Sequence, residues 1–329
     1  MTGMETTAKR MRIFRKLEEI PEGFGASVVA VGNFDGLHRA HQQLIAAVRQ
    51  RAQELKVRSV LLTFDPHPLR ILRPAEAPRL ITPYPYKLKL LKQTGVDAVV
   101  ILPFSRDLSM MPPYEFAERV LAGALHAVEV HEGFNFRFGH RAEGDMAVLK
   151  QYGARLGFQA VRHPALRLRG HIVSSSQIRK LVHTGEMGMA RHLLARPFTI
   201  ASTPGRGRGF GTRYAVPTIN LSRYEELIPG HGVYVTTIRV SGESFDSVTN
   251  VGNRPTFGAD SFAIESHILD FHPIELTAES PIELTFHKRL RGEIRFPTVE
   301  DLKTQIGLDV TKARRYFHLL RRFHPESLK

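Results

Sequence analysis

The chain has 329 residues, of which 42% are hydrophobic and none is cysteine, and its formal net charge is +14. The length suffices for two domains, and the lack of cysteine excludes disulfides and thiolate catalysis. No apolar run reaches transmembrane length, and residues 1–12 lack the apolar core of a signal peptide, so we expect a cytoplasmic protein without a membrane partner. The positive charge predicts an anionic partner, and the absence of an aromatic-rich RNA-binding motif favours a polyphosphate substrate over nucleic acid.

The first half of the chain alternates predicted strands and helices. Strands are predicted at 27–31, 59–64, 98–102, 127–130 and 159–162, and helices at 86–93, 114–125 and 147–156. A further helix is predicted after residue 37, where apolar residues recur at helical spacing. This alternation indicates βαβ units and a parallel sheet. Two short helices, at 176–183 and 187–194, complete this half.

The segment V-G-N-F-D-G-L-H-R-A-H, residues 31–41, forms the first strand-to-helix turn. The N-terminus of a helix offers free N–H groups and a partial positive charge to a phosphate. His38 and His41 are three residues apart and share one face of the first helical turn, where two imidazoles can hydrogen-bond a triphosphate. Two alternatives are a solvated pair and a zinc pair; zinc is disfavoured because helical metal pairs usually have i, i+4 spacing and no third ligand is evident.

Three more polar motifs follow predicted strands or open a helix in the first half. They are T-F-D-P-H-P at 63–68, G-F-N-F-R-F-G at 133–139 and S-S-S-Q-I-R at 174–179. The second can hydrogen-bond a planar heterocycle through Asn135, and the third can neutralise polyphosphate charge through Arg179. Taken singly, the first is also compatible with an ordinary turn, the second with an aromatic core turn and the third with a helix cap.

Taken together, these four motifs resemble the adenylyltransferase domain of bacterial FAD synthetases over about residues 28–196. The resemblance implies that FMN and ATP give FAD and pyrophosphate, with His38 and His41 binding the polyphosphate, Arg179 holding pyrophosphate and Asn135 binding FMN. The residues that it assigns to ATP are Gly32, Phe34, Asp35, Gly36, Ser174, Ser175 and Ser176. Those that it assigns to flavin in this domain are Phe64, Pro66, His67, Asn135 and Phe136. Ala40 departs from the family pattern, which usually has glycine at that position.

The pattern changes near Arg196-Pro197, where we predict a boundary between domains at 13–196 and 197–329. Beyond it, strands are predicted at 198–201, 233–240, 247–250, 262–271 and 282–286. Short strands without long helices between them suggest a small antiparallel barrel. A final helix is predicted from 299 to 320, with Val299, Leu302, Ile306 and Val310 spaced as one face.

Three features of the second half suggest a second nucleotide site. The segment G-R-G-R-G-F-G, residues 205–211, reads either as a phosphate-binding loop or as a flexible linker. Thr218 and Asn220 point to the same side of an extended segment, which suits either Mg²⁺ or a polar strand face. Glu265 opposes the apolar alternation of its strand and faces either solvent or a cleft.

Residues 198–316 resemble the riboflavin kinase domain, whose motifs include P-T-A-N, N-x-G-x-R-P-T-F and E-x-H-x-x-D-F. The resemblance implies that Thr218 and Asn220 bind the Mg-nucleotide and that Glu265 is the base for the riboflavin 5′-hydroxyl. It assigns Gly209, Gly211 and Arg213 to ATP, and Arg254 to flavin. Thr212, Ala215 and Val216 stand where the family usually has Arg, Gly and Phe, which predicts weaker ATP binding by the kinase unless Arg213 substitutes.

The predicted fold is an α/β nucleotidylyltransferase-type, Rossmann-like parallel-sheet domain, followed by a small antiparallel β-barrel riboflavin kinase domain with a C-terminal helix. The predicted function is FAD biosynthesis by a bifunctional riboflavin kinase/FMN adenylyltransferase with Mg²⁺. ATP, riboflavin, FMN and FAD are its substrates or products, and a homo-oligomer is left open. The alternatives are an FMN adenylyltransferase with a degenerate kinase domain, and a basic nucleic-acid-binding protein on a nucleotidyltransferase scaffold.

Overall fold

The computed structural model describes residues 11–205, 218–253, 262–272 and 276–323. The chain divides into two compact units that meet in sequence at Ser175 and Ser176. Residues 176–194, which the sequence motifs assign to the adenylyltransferase domain, thus belong to the second unit by their contacts. The predicted functional boundary after residue 196 stays a prediction.

A six-stranded, entirely parallel sheet forms the centre of the first unit. Its strands are β1 (Arg12–Phe14), β2 (Ser27–Val31), β3 (Arg58–Asp65), β4 (Ala98–Pro103), β5 (Ala127–Glu132) and β6 (Gln159–Arg162). Their order across the sheet is β1-β4-β3-β2-β5-β6. The order reverses between β2 and β5, and ligands of open parallel sheets bind beyond the carboxyl ends of the strands at such a reversal.

Helices cover both faces of this sheet. They are α1 (Arg39–Leu55), α2 (Pro68–Leu72), α3 (Tyr84–Lys92), α4 (Arg106–Met110), α5 (Pro113–Glu115), which continues as a π-helix over Phe116–Ala124, and α6 (Met146–Leu156). Every residue of β2 is buried, with Val29 in one hydrophobic core and Val28 in the other. A strand buried on both faces reads as a continuous apolar run, which is why the sequence predicts it correctly.

Within the described residues, the second unit contains a six-stranded antiparallel sheet and three helices. The strands are β9 (Phe198–Ser202), β10 (Thr218–Asn220), β11 (Gly232–Val240), β12 (Glu243–Asn253), β13 (Phe262–Ile268) and β14 (Ile282–Arg291). The two preceding strands, β7 (Arg167–Leu168) and β8 (His171–Ile172), form a short hairpin in the first unit. The helices are α7 (Ser175–Thr184), which begins at the last residue of the first unit, α8 (Met187–Leu194) and α9 (Val299–Phe323).

The sheet of the second unit closes on itself. Its order is β10-β13-β12-β11-β14-β9, and the two edge strands meet where Pro204 bridges Leu221. Beside this bridge, the Ser222 N–H donates to the Thr203 carbonyl at 2.9 Å. The antiparallel barrel predicted from the sequence is therefore confirmed.

Helix α9 packs on the barrel through its C-terminal half. Ala313, Phe317 and Leu320 are buried against a core that includes Val233 and Val235 of β11. The apolar face predicted for the N-terminal half is largely open, because Val299, Leu302 and Ile306 are 47%, 39% and 38% exposed. Helical spacing indicates which residues share a face, but it does not indicate how far along the helix that face is covered.

The barrel contains a buried, neutral histidine. His287 of β14 is 6% exposed, its Nε2 is 2.8 Å from the Thr237 hydroxyl, and its ring packs against Phe317. Burial lowers the pKa of His287 to about 4. The unfolded chain binds a proton at this histidine below about pH 6.5, whereas the folded chain does so only near pH 4, so stability falls as the pH falls through this window.

We therefore expect the barrel to lose about 3 kcal/mol of unfolding free energy between pH 7.5 and pH 4 through His287 alone. His287→Gln, which cannot titrate there, should be less stable than the wild type at pH 7.5 but lose less of its stability on acidification. The measurement is chemical unfolding at several pH values, followed by near-UV circular dichroism. His318→Gln, at an exposed position on α9, is the control; an equal pH dependence of all three proteins would contradict the prediction.

Candidate active sites

The turn between β2 and α1 has a strained backbone. Phe34, Gly36 and Leu37 have φ angles of 47°, 83° and 38°, all in the left-handed region that favours glycine. A Cβ atom at Gly36 would also lie 3.0 Å from Cδ1 of Ile81. Backbone strain of this kind persists only where surrounding contacts hold it, and such turns cluster at ligand-binding sites.

Asp35 holds this turn from inside the fold. Its side chain is 3% exposed, and its carboxylate accepts hydrogen bonds at 2.9–3.1 Å from the backbone N–H groups of Ile81 and Thr82. The Thr82 hydroxyl accepts from the N–H of Gly36 at 2.8 Å, and the Ser175 hydroxyl donates to the Asp35 carbonyl at 2.8 Å. The Asp35 carboxylate thus shapes the turn through backbone groups, whereas the sequence suggested contact with ATP, which stays a prediction.

His38 and His41 stack face to face at the start of α1. Their ring centroids are 3.6 Å apart, with 13° between the ring planes. His38 caps the helix, because its Nδ1 accepts the backbone N–H of His41 at 3.3 Å. A ring nitrogen that accepts a hydrogen bond carries no proton, so the proton of His38 lies on Nε2.

His41 is held neutral by its surroundings. Its Nδ1 is buried, and no residue in the described part of the chain hydrogen-bonds that atom. Burial lowers the pKa of His41 well below its usual value, and electrostatic interactions with His38 and Lys87 lower it further. A neutral imidazole in this position has Nε2 available as its hydrogen-bonding atom.

A small cleft opens at the carboxyl ends of β2 and β3. It is lined by Asn33, Asp35, Phe64, Asp65, His67, Leu80, Thr82, Tyr84 and Lys87. The structure thus brings together Phe64 and His67, which were assigned to flavin, with Asp35 of the turn. Pro66 lies between Phe64 and His67 in the chain and is not among the lining residues.

Lys87 is a residue of this cleft that the sequence analysis missed. It is 7% exposed, and its Nζ lies 3.3–3.4 Å from the Asn33 carbonyl, the Thr63 hydroxyl and the Phe64 carbonyl. Burial lowers the pKa of this ammonium group. The sequence contains a signal for it, because Lys87 occupies the buried face of α3 four residues before Leu91, where an apolar residue is expected.

Asn135 and Phe136 follow β5, at the same edge of the sheet but on the far side of β2 from β3. Asn135 is exposed, and Phe136 stacks on Phe138 with ring centroids 5.3 Å apart. Neither predicted flavin residue lines the cleft described above. Both residues lie beyond β5, beside the reversal in strand order, where a second substrate can bind.

Glu132, the last residue of β5, is a second residue that the sequence analysis missed. It is 1% exposed, and its Oε1 accepts the N–H of Val31 at 2.9 Å. Burial raises the pKa of this carboxyl well above its usual value. Glu132 therefore joins the ends of β2 and β5 through a carboxyl group whose neutral form is favoured by burial, and a glutamate next to a predicted strand is the signal that could have identified it.

The serine-rich motif is divided between the two units. Ser174 and Ser175 belong to the first unit, where Ser175 contacts the turn as described above. Ser176 and Arg179 lie on α7 in the second unit, with Ser176 exposed and Arg179 half-buried. The roles assigned to these residues stay predictions.

The barrel brings Thr218, Asn220 and Glu265 onto one face. Strand β10 pairs with β13 so that Asn220 lies opposite Glu265, and Thr218 lies opposite His267. On the other side of β13, Glu265 lies opposite Asn250 of β12. Residues directly opposite in an antiparallel pair share a face, with Cβ atoms about 4.5–5.5 Å apart. The two predicted metal ligands and the predicted base are therefore neighbours, although more than forty residues separate them in the sequence.

Several predicted residues of the kinase lie outside the described residues. They are Gly209, Gly211, Arg213 and Arg254, together with the departures at Thr212, Ala215 and Val216. Their assignments, and the expectation of weaker ATP binding by the kinase, stay predictions.

Comparison with known proteins assigns the motifs of the two halves of the chain to two different families. Residues 21–177 match the family model of FAD synthetase, and residues 194–317 match that of riboflavin kinase. The chain is 34% identical over 311 residues to a bifunctional riboflavin kinase/FMN adenylyltransferase of Pseudomonas fluorescens, covering 92% of this chain and 97% of that protein. A protein of the same name from Haemophilus influenzae is 30% identical over 309 residues, covering 94% and 100%.

This chain belongs to the bifunctional riboflavin kinase/FMN adenylyltransferase family. The predicted function in FAD biosynthesis, with both catalytic domains in one chain, is thereby confirmed and favoured over both alternatives. ATP, riboflavin, FMN and FAD follow as its substrates or products.

The fold has a close counterpart among solved structures. A crystal structure described as a macrolide-efflux protein from Streptococcus pneumoniae superposes with a TM-score of 0.81 at 24% identity, covering 92% of this chain and 98% of that one. At this identity the likeness shows the fold alone. Within the described residues, no helix combines the length and the apolar character needed to cross a membrane.

Proposed function

We propose that adenylyl transfer takes place at the turn between β2 and α1, with His38 and His41 as the groups that contact the polyphosphate. The observation that carries this proposal is the stacked pair at the helix N-terminus. Nδ1 of His38 accepts a backbone N–H, and Nδ1 of His41 is buried without a partner among the described residues. With the proton of His41 also assigned to Nε2, both neutral rings would present Nε2–H as a donor.

The proposed chemistry needs no protein nucleophile. A phosphate oxygen of FMN attacks the α-phosphorus of ATP, the new P–O bond forms, and the bond to the β-phosphate breaks to release pyrophosphate. Negative charge builds on the oxygens of the α-phosphate in the transition state, where the Nε2–H groups of His38 and His41 donate. Arg179 would hold the pyrophosphate, while Asn135 and the cleft that Phe64 and His67 line would hold FMN.

For riboflavin phosphorylation, we propose Glu265 as the general base. It would accept the proton of the riboflavin 5′-hydroxyl while that oxygen attacks the γ-phosphorus of ATP, which releases ADP. Glu265 is half-buried on the same face as Thr218 and Asn220, so a base and two neutral oxygen ligands converge there. The adjacent Asn250 offers a further polar side chain to this face.

The donor set in the barrel fits Mg²⁺. Mg²⁺ prefers oxygen ligands, keeps several waters, and is commonly bound through one or two protein groups and substrate phosphates. Thr218 and Asn220 supply neutral oxygens on one face, and no cluster of three or more His, Cys, Asp or Glu in the described ranges could hold a metal on its own. Bound with ATP, Mg²⁺ would neutralise phosphate charge; Thr218 and Asn220 would hold it.

The two activities should be separable at the predicted boundary. A fragment that ends at residue 196 is expected to adenylylate added FMN but not to phosphorylate riboflavin. A shorter fragment that ends at residue 175 lacks Arg179 and should be much less active. Helix α8 buries apolar residues such as Leu193 and Leu194, which the longer fragment could expose, so size-exclusion chromatography first shows whether that fragment aggregates. The products of its reaction, FMN and FAD, are then separated by chromatography. Formation of FMN from riboflavin by a monodisperse fragment would contradict the domain assignment.

We further propose a cytoplasmic enzyme whose partners are its small-molecule substrates. A chain without cysteine suits a reducing compartment, and its basic surface suits polyphosphates. Nucleic-acid binding is the alternative to test, since true nucleic-acid affinity falls steeply with salt. Whether the enzyme forms a homo-oligomer is tested by its sedimentation.

A further inference from the structure

The strained turn that carries His38 and His41 is held at its beginning by a buried lysine on another element. Lys87 of α3 contacts the Asn33 carbonyl, which directly precedes the left-handed Phe34. Its other two partners, the Thr63 hydroxyl and the Phe64 carbonyl, belong to the end of β3. One ammonium group thus joins the turn after β2 to the end of the neighbouring strand.

A buried lysine at this position is unfavourable for the stability of the fold. Removing an ammonium group from water is unfavourable unless strong partners compensate, and the three partners here are neutral oxygens at 3.3–3.4 Å, which is long for a hydrogen bond. The nearby carboxylates of Asp35 and Asp65 raise the pKa of Lys87, but burial outweighs them and lowers it. An apolar side chain of similar length would fill the same space without this cost.

The charge of Lys87 lies where it can attract a phosphate group of a substrate. It lies in the cleft at the carboxyl ends of β2 and β3, and its positive charge helps to lower the pKa of His41. A fixed positive charge in such a cleft favours the phosphate groups of a nucleotide. Thr63 also donates to the Asn33 carbonyl, at 3.3 Å, so this carbonyl is fixed from two sides.

We propose that Lys87 is a positioning residue for adenylyl transfer, which fixes the turn that carries His38 and His41 and keeps a positive charge beside the phosphates. The inference rests on the proposed adenylylation site and adds a residue to it from outside the turn. Replacement by methionine would leave the Phe64 carbonyl without this partner and free the start of a strained turn. A displacement of about 1 Å in reacting groups can cost on the order of 10²-fold in rate.

The test uses the full chain and measures both activities. Lys87→Met is expected to lower kcat for FAD formation from FMN by about 10²-fold, with less than about threefold change in either KM, since the substrates keep their other contacts. Riboflavin phosphorylation should stay near wild type, which reports that the barrel is folded, and the unchanged KM values for FMN and ATP report that the first unit is folded. Lys89→Met, at an exposed position two residues further along α3, is the matched control and should leave both activities unchanged.

Chemical rescue separates a role for the charge from a loss of packing. In Lys87→Ala, the truncated side chain leaves space for a small amine, so ethylammonium chloride should raise kcat for FAD formation at least about tenfold, whereas potassium chloride at equal ionic strength should not. Lys87→Met fills that space and should not respond to the amine. Wild-type kcat in Lys87→Met would overturn the proposal, and so would an inactive Lys87→Ala that ethylammonium does not rescue.

The outcome is distinguishable from failure of the proposed site itself. If His41→Ala is inactive while Lys87→Met is fully active, the site stands and only the role of Lys87 is wrong. If His41→Ala forms FAD at the wild-type rate, the placement of adenylyl transfer at this turn is wrong, whatever Lys87→Met does.

Discussion

His41→Ala is expected to lower the rate of FAD formation from FMN and ATP by about 10²–10³-fold, the effect typical of removing one donor from a developing negative charge. The structure supplies the reason for choosing His41: burial favours its neutral form, its ring is stacked on His38, and its Nδ1 is buried, so Nε2 is the ring nitrogen that we propose as the donor. The measurement is the steady-state rate of FAD formation, with FMN and FAD separated by chromatography.

Riboflavin phosphorylation by the same variant should remain near the wild-type rate, because Glu265 and its neighbours belong to the barrel. His183→Ala is a suitable control, since His183 is exposed near the end of α7 and has no assigned role. Equal loss of both activities in a folded His41→Ala variant would indicate a shared site and contradict the assignment of this histidine to adenylylation alone.

Glu265→Gln is expected to have the opposite selectivity. The amide keeps the shape of the side chain and can hydrogen-bond Asn220 or Asn250 across the strands, but it cannot accept the proton of the riboflavin 5′-hydroxyl. Formation of FMN from riboflavin should fall by at least about 10²-fold, within the range typical of a lost general base. FAD formation from supplied FMN should not change.

Glu283→Gln provides a matched control for this variant. Glu283 is also a half-buried glutamate on a barrel strand, but it lies opposite Arg239 in β11, away from Thr218 and Asn220. It should leave riboflavin phosphorylation unchanged. A normal kinase rate in Glu265→Gln would remove this residue from the mechanism and leave Thr218 and Asn220 without an assigned base.

Local patterns in the sequence were sufficient for most of the fold. The run at 27–31 predicts β2 because a strand covered on both faces is apolar at every position. The change from alternating strands and helices to successive strands predicts the barrel for the same kind of reason, since each element must bury one face. Motif order then indicated the family, and the histidines of residues 31–41 do lie at a helix start, as expected.

Only the tertiary structure could show which distant residues meet. Strand register makes Glu265 the neighbour of Asn220, and register depends on how whole strands pair and not on any local signal. Asp35 has the identity expected of a ligand-binding residue, yet its carboxylate is occupied by the backbone of residues 81–82. Lys87 and Glu132 were missed because burial gives them their properties: the same side chains on the surface would be ordinary charged groups. The sequence by itself therefore determined the elements, their class and the family, whereas the protonation states and partners of the site residues depend on desolvation and proximity, which exist only in the folded chain.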